Sequence, residues 1–485
     1  MKDDSSSATL ADSLRSELNR FSEGEKLPSS RTLVERFGVS PVTVTRALAA
    51  LAAEGLVVTR PGSGTYRART GAVRAARPVD TSWQQVALTA EDQHAEPAPR
   101  VVDASAITAT LAAPPPGVIP FNGGYLHASL QPERALAAAL ARAARRPGAW
   151  DRPPLEGLTP LRAWFAREAG GPAGTIGPAQ VLVTAGGQSA LTTALHALAP
   201  PGSPVLVESP TYPGALAVAR AAGLRPVPVP VDEDGVRPEL LADAFAATGA
   251  RVFFCQPLFQ NPTGAVLAPG RRREILAIAH AAGAFVIEDD FARRLGHGGP
   301  LPPPLVADDP HGTVVHVSSL TKPTSPSLRV GAIIARGPVM ERLRAIQVVD
   351  SFFVPRPLQE ATLELVGAPA WPRHLRAVAA GLAERRDAML AALHHELPAL
   401  APARAPAGGY QLWLRLPDGA DEAALAGAAL RSGVAVAAGR PYFAAEAPAP
   451  YVRVSFADTA GTSEITEGVH RLAAACAETG ITAVT

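Results

Sequence analysis

Short apolar runs alternate with stretches rich in Ala, Leu and Arg through the middle of this chain. The runs Val181 to Thr184, Val205 to Val207, Val252 to Phe254, Phe285 to Ile287, Val314 to Val317 and Val330 to Ile334 lack the polar alternation of a half-exposed strand. Strands of this kind are buried on both faces, which requires helices above and below and predicts a parallel sheet of the α/β class. From about Trp371 the pattern shifts to a long helix, a strand at Gln411 to Leu416, another at Tyr451 to Phe456 and a last helix to Cys476. That reads as a smaller α+β lobe, about 370–485, within a body spanning 104–485. A chain of 485 residues with 47% apolar content has material for this body and a second unit besides.

The net charge of +1 supplies no overall field toward nucleic acid or membrane, so any basic patch must be local. One is present: Arg60, Arg67, Arg69, Arg74 and Arg77 fall in a stretch without an acid. Cys255 and Cys476 are too few for a disulfide framework or a structural zinc site, and no metal site is expected. No uncharged apolar run approaches membrane length and none follows Met1, which predicts a soluble, cytoplasmic protein without a membrane partner.

Ahead of the body, Leu10, Leu14, Leu18 and Phe21 share one helical face. A second helix is expected from Ser29 or Ser30 to Phe37, stopped by Gly38. Ser40 is a natural N-cap for a third, with Pro41 at the first helical position, where its missing N–H costs nothing. Val44, Ala47, Leu48 and Leu51 form the buried face of that third helix, which leaves Thr43 and Arg46 pointing largely outward. Leu56 to Thr59 and Thr65 to Arg67 read as two short strands around Pro61-Gly62-Ser63-Gly64, a candidate wing.

The run Leu27-Pro28-Ser29-Ser30-Arg31, Gly38-Val39-Ser40, Thr43-Val44, Glu54-Gly55-Leu56 and Arg60-Pro61-Gly62-Ser63-Gly64-Thr65 resembles the GntR-type winged helix. The resemblance covers about residues 8 to 68, within a DNA-binding unit taken as 1–70. It implies a double-stranded DNA operator as partner, contacts to DNA from Arg31 and Thr43, phosphate or capping roles for Ser29 and Ser40, and a wing that Gly62 and Gly64 let into the minor groove. Arg46 is the candidate for base readout, since arginine pairs bidentately with guanine. Many relatives carry arginine where this chain has Pro41. Residues 71–103, with little periodicity, read as a tether, with Trp83 a residue that would dock it.

Lysine occurs only at Lys2, Lys26 and Lys322, although the chain holds 45 Lys plus Arg. Arginine replaces lysine in ion pairs but cannot form a Schiff base, so a lone lysine in an arginine-rich body points to amine chemistry. Active residues of an open α/β sheet collect at the carboxyl ends of its strands. There the chain delivers Thr184-Ala185-Gly186-Gly187-Gln188, a helix N-terminus suited to phosphate, then Tyr212, whose ring is suited to stack on a flat heterocycle. Asn261-Pro262-Thr263-Gly264 follows, then Glu288-Asp289-Asp290, where a buried carboxylate needs a cation such as a pyridinium nitrogen. Ser319, Lys322 and Arg329 add a hydroxyl, an amine and a second phosphate clamp.

From about Gly117 onward these motifs, in this order, resemble a fold-type I, class I aminotransferase domain, and the whole chain resembles a MocR-type regulator of the GntR family. The resemblance implies pyridoxal 5'-phosphate held by Lys322 as an internal aldimine, with Asp289 paired to the pyridine nitrogen, Asn261 bonded to the ring oxygen and Tyr212 stacked on the ring. It further implies a phosphate cradle of Gly187, Gln188, Ser319 and Arg329, a substrate carboxylate on Arg453, and a homodimer. Lys322 and Asp289 would be the catalytic pair. Two positions depart from the family: Phe291 stands where a tyrosine usually follows the aspartates, and Arg152 where a tyrosine often reaches the partner's phosphate. The reading that follows is a transcriptional regulator that senses pyridoxal phosphate or a small amino compound. A working aminotransferase with an appended DNA-binding head, and a DNA-binding protein whose body is only a dimerisation scaffold, stay open as alternatives.

Overall fold

The computed structural model describes residues 3–53, 56–60, 63–68, 80–89, 100–170, 176–402 and 404–481. The chain divides into two units, Met1–Pro78 and Val79–Thr485.

In the first unit, the helices Asp3–Glu17, Ser30–Phe37 and Pro41–Ala53 close on a core of Leu10, Leu14, Leu18, Leu33, Val44, Ala47, Leu48 and Leu51. The second helix starts because Ser29 Oγ accepts the Thr32 N–H at 3.1 Å, and it stops at Gly38, whose φ of 62° is the left-handed conformation that glycine tolerates. Ser40 caps the third helix by accepting the Thr43 N–H, also at 3.1 Å. The strands Val57–Arg60 and Gly64–Arg67 then pair antiparallel, Val57 opposite Arg67 and Arg60 opposite Gly64. This is the expected three-helix head with a hairpin, each strand shifted by one residue at the turn.

The second unit is built on an eight-stranded sheet. Its order is Val181–Thr184, Gly331–Ile334, Val314–Ser319, Phe285–Asp290, Val252–Cys255, Pro204–Ser209, Arg225–Asp232 and Gly235–Val236. Two apolar layers cover it, one around Leu161, Phe253, Val286 and Leu305, the other around Leu191, Phe254, Phe285 and Val315. The sheet is not wholly parallel as expected, because Gly331–Ile334 runs antiparallel to both neighbours. Only residues 320–330 join it to Val314–Ser319, too few for the helical crossover that a parallel return requires. That short return carries Lys322 and Arg329. Arg225–Asp232 is a strand despite Pro226, Pro228 and Pro230: the prolines alternate, so every missing N–H falls on the same side of the strand, and only Val231 and Asp232 pair with Gly235–Val236.

The smaller lobe packs the helices Trp371–Glu396, Glu422–Arg431 and Thr462–Glu478 against Gln411–Arg415 and Tyr451–Ser455, which pair antiparallel with Trp413 opposite Arg453. Among the described residues no helix is long and apolar enough to cross a membrane.

One expectation needs correction. Within the stretch read as a tether, Ser82–Thr89 is a helix docked on the body. Trp83 Nε1 donates to His311 O at 3.1 Å, and its ring lies 4.8 Å from that of Phe285. Gln84 is fully buried, donating to Gly312 O and Arg336 O and accepting the Val339 N–H. Eight residues carry too little periodicity to announce a helix, and this one is held by tertiary contacts that no local pattern reveals.

Candidate functional site

Five strands end at one edge of the sheet, and their ends supply one pocket. It has a cavity volume of about 70 Å³ and is lined by Gly187, Gln188, Tyr212, Asn261, Asp289, Ser319, Lys322 and Arg329, with Tyr125, Gln256, Phe291 and Tyr410 among the other wall residues. All eight residues expected at a cofactor therefore meet.

Lys322 follows Val314–Ser319 in the return loop. Its Nζ donates to Gly124 O at 2.6 Å and lies 4.1 Å from the Tyr125 ring centre. Burial pulls the amine down to about 8, with Arg453 and Arg329 adding repulsion while Tyr125 and Asp289 oppose the shift. Asp289 ends Phe285–Asp290. Burial pushes its carboxyl up to about 6, although Gln256 Nε2 donates to Oδ2 at 2.7 Å and Lys322 favours the charge. Strand alternation sends Glu288 and Asp290 to the opposite face, where His316 Nδ1 lies 2.8 Å from Glu288 Oε2 and Arg293 pairs with Asp290.

Asn261 is buried and its Oδ1 has no hydrogen-bond partner among the described residues, while its backbone N–H donates to Gln256 Oε1 at 3.1 Å. Gln256 thus ties Asn261 to Asp289. Beneath it Glu208, fully buried, accepts the Gln256 N–H at 3.0 Å, and burial raises its carboxyl to about 7. Tyr212 donates to Gln188 Oε1 at 3.0 Å, and burial followed by the Asp289 charge pushes its phenol up. A Cβ on Gly214 would lie 2.2 Å from the Tyr212 ring, so only glycine lets the ring fold back over the helix start.

The helix Gly187–Leu198 opens at this edge with Gly186 at φ 86°. A Cβ on Gly187 would stand 3.5 Å from Ser319 Cβ, and one on Gly186 would press into the Arg329 guanidinium at 3.0 Å. Arg329 donates to Ala185 O at 2.8 Å. Bare backbone N–H groups at a helix N-terminus, a hydroxyl and a guanidinium make an anion cradle. Together with the partnerless Asn261 oxygen and the Asp289 carboxylate, the donor set fits a phosphorylated, hydroxylated pyridine.

Arg453 is 2% exposed and lies outside the pocket lining. Its Nη1 and Nη2 donate to Asn122 O and Gly123 O, both at 3.3 Å, the Tyr410 and Tyr442 phenols also lie against it, and its Nε has no partner among the described residues. Phe291 lines the pocket edge-on to Tyr410, 6.2 Å between ring centres, so no phenol is delivered from position 291. Arg152 is exposed and absent from this lining. Tyr125, Gln256 and Tyr410 escaped the sequence reading. A signal existed for Gln256, which directly follows the carboxyl end of Val252–Cys255, while the two tyrosines each follow a glycine pair in a loop.

In the head, Arg31 and Arg46 are exposed on successive helices, and Arg31 pairs with Glu35 at 3.3 Å. Ser29 and Ser40 are the caps of those helices. Thr43 does not point outward: it is 3% exposed, its Oγ1 2.8 Å from Ser40 Oγ. Lying four residues before Ala47, it falls on the buried face and belongs to the cap, so the expected DNA contact is not supported. A Cβ on Gly64, at φ 116°, would meet Lys26 Cε at 2.8 Å, so this glycine serves the hairpin's packing. Gly62 lies outside the described residues. Arg60 stacks its guanidinium on Tyr66, 5.0 Å from the ring centre.

The chain matches the aminotransferase class I and II family over residues 122–472 and the bacterial regulatory proteins of the gntR family over residues 7–66. It is 29% identical to the HTH-type transcriptional regulator TauR of Rhodobacter capsulatus, covering 94% of this chain and 93% of that protein. It is 33% identical to the 2-aminoadipate transaminase of Thermus thermophilus, covering 74% of this chain and 89% of that one. The crystal structure of LysN, the α-aminoadipate aminotransferase of Thermus thermophilus complexed with N-(5'-phosphopyridoxyl)-L-leucine, superposes with a TM-score of 0.71 at 33% identity over 78% of this chain and 95% of that one.

Proposed function

The chain belongs to the aminotransferase class I and II family and carries a GntR-type head, and on that footing we propose a DNA-binding regulator whose body holds pyridoxal 5'-phosphate at Lys322 and senses an amino compound there. The carrying observation is that Lys322, the only lysine after Lys26, stands in one pocket with Asp289, Asn261, Tyr212 and the Gly187 helix start. When bound, the cofactor supplies an aldehyde that joins reversibly to primary amines.

The chain's own groups divide the remaining work. Gly187, Gln188, Ser319 and Arg329 hold the phosphate. Asp289, oriented by Gln256, holds a proton on the pyridine nitrogen, and Asn261 Oδ1 gains the partner it lacks from the ring hydroxyl. Tyr212 covers the ring. Arg453 is the receptor for a ligand carboxylate. With Phe291 in place of a phenol, the site favours capture over tuned proton transfer. Arg31 and Arg46 face DNA from the head, with Ser29 and Ser40 fixing the two helices that carry them. DNA-reading residues lie within 1–70 and the cofactor body within 104–485. The protein acts in the cytoplasm, beside its operator.

A homodimer is supported by apolar side chains that the body leaves in solvent: Trp150 at 79%, Val349 at 82% and Phe352 at 66% exposure. Two-fold pairing of the body would bring two heads to a repeated operator.

The test is a visible absorption spectrum of the full-length protein with added pyridoxal phosphate, beside Lys322→Ala, followed by borohydride reduction and peptide mapping. A band present only with Lys322, and reduced label on the Lys322 peptide, is the expected result. A band of equal strength in Lys322→Ala would overturn the assignment.

A further inference from the structure

Residues 122–124 present three successive backbone carbonyls to the two cations on which a ligand would act. Arg453 donates to Asn122 O and Gly123 O, and Lys322 Nζ donates to Gly124 O. Both ends of the stretch are fixed to the smaller lobe's backbone: Ser455 N–H donates to Phe121 O at 2.7 Å, and His127 N–H to Ala457 O at 2.8 Å. Between those anchors Gly123 and Gly124 bring bare backbone up to the two cations. A Cβ on Gly123 would stand 3.2 Å from Asp458 Oδ2, and one on Gly124 would sit between Tyr410 Oη at 3.4 Å and Lys322 Nζ at 3.6 Å.

A carboxylate is a stronger partner for guanidinium than neutral carbonyls and phenols, because its bonds are charge-assisted and bidentate. A ligand carboxylate that takes Arg453 must lift Asn122 and Gly123 away. Asn122 does not move alone: its Nδ2 donates to Ala109 O at 2.9 Å. Ala109 lies on the helix Ser105–Leu111, none of whose residues is buried. A seven-residue helix has no stability of its own, so few contacts decide whether it stays folded. Its N-terminal side leads through Val101 and Arg100, bonded to Arg220 O and Ala221 O, into the chain that precedes the body.

We propose that the carbonyls of Asn122 and Gly123 are an internal stand-in for the carboxylate of an α-amino acid ligand, and that displacing them releases the helix Ser105–Leu111 through Asn122. This rests on the reading of Lys322 and Arg453 as the ligand-binding pair. It gives the site a route to residues 100–111 that does not require the sheet to move.

The experiment is hydrogen exchange by mass spectrometry on the full-length, cofactor-loaded protein, with Arg453→Met, Arg453→Lys and Asn122→Ala beside the wild type. Arg453→Met, without ligand, is expected to speed exchange across 105–111 about tenfold or more, the effect of losing hydrogen bonds to a charged group. Arg453→Lys recovers part of the protection. Asn122→Ala, a change at a solvent-accessible contact, speeds 105–111 while leaving 411–415 unchanged, which separates release from general unfolding. An equimolar mixture of the protein-forming L-amino acids then speeds 105–111 in the wild type and adds nothing in Arg453→Met. Unchanged exchange at 105–111 in both Arg453→Met and Asn122→Ala overturns the proposal, as does a shift of the wild-type absorption band by the mixture with no change at 105–111. Absence of any Lys322-dependent band is instead a failure of the cofactor reading, and the two variants still decide the coupling.

Discussion

Replacing Gln84 by alanine should detach the helix Ser82–Thr89 from the body. Its amide makes three bonds to backbone groups that no solvent reaches: to Gly312 O at 2.6 Å, to Arg336 O at 2.9 Å and from Val339 N at 3.1 Å. Each is worth roughly 1 kcal/mol net, so docking loses about 3 kcal/mol. At about 1.4 kcal/mol per factor of ten, local opening becomes roughly a hundredfold more frequent. The helix is too short to persist undocked, so opening exposes its amides. Hydrogen exchange of the peptide covering 82–89 in the full-length protein reads this directly. Acceleration of less than about threefold, with the fold otherwise intact, would refute the claim that Gln84 holds this segment.

Three further outcomes follow from the geometry. Lys322, lowered to about 8 by burial, is neutral in roughly a tenth of molecules at pH 7, so cofactor capture followed by stopped-flow absorbance should rise about tenfold per pH unit below about 8 and level off above it. Because this folded-state value lies below the unfolded one of 10.5, the cofactor-free body also gains stability as pH rises from about 8 toward 10.5; a rate flat between pH 6 and 9 would contradict both. Ser40→Ala should cost the head about 1 kcal/mol through the lost cap, whereas Arg46→Ala should leave stability within about 0.5 kcal/mol and weaken binding to the preferred duplex by about 1–3 kcal/mol while relaxing its sequence preference, as measured by denaturation and binding titration. Phe352→Asp should shift sedimentation toward monomer by placing charge on an exposed apolar face, and an unchanged dimer would exclude that face from the interface.

What was legible in the chain was what local chemistry fixes. Ser29, Gly38, Ser40 and Pro41 carry the helix boundaries in their own side chains or backbone freedom. The apolar runs of the sheet are so short and so complete that burial on both faces was their only reading. The pocket was legible because most of its contributors follow a strand's carboxyl end, where topology gathers residues distant in sequence. Thr43 was misjudged because a threonine's methyl and hydroxyl satisfy a buried cap as readily as a DNA contact. Trp83 was legible as a docking residue by its size alone, but Gln84 was not, because its partners lie more than two hundred residues away, at Gly312, Arg336 and Val339. Tyr125 and Tyr410 stayed hidden for a related reason: loops bring them over Lys322, and loop paths leave no periodic trace.

The measurement that tests the central claim most directly is DNA affinity of the full-length protein for a duplex selected from a random pool, with pyridoxal phosphate and the mixture of L-amino acids present or absent, beside Lys322→Ala. The wild type should bind the duplex with an affinity or half-site spacing that changes when cofactor and amino acids are added together. Lys322→Ala should bind the same duplex and ignore both. Identical behaviour of the two proteins under every condition would contradict a sensing body and leave a DNA-binding head on an aminotransferase-shaped scaffold.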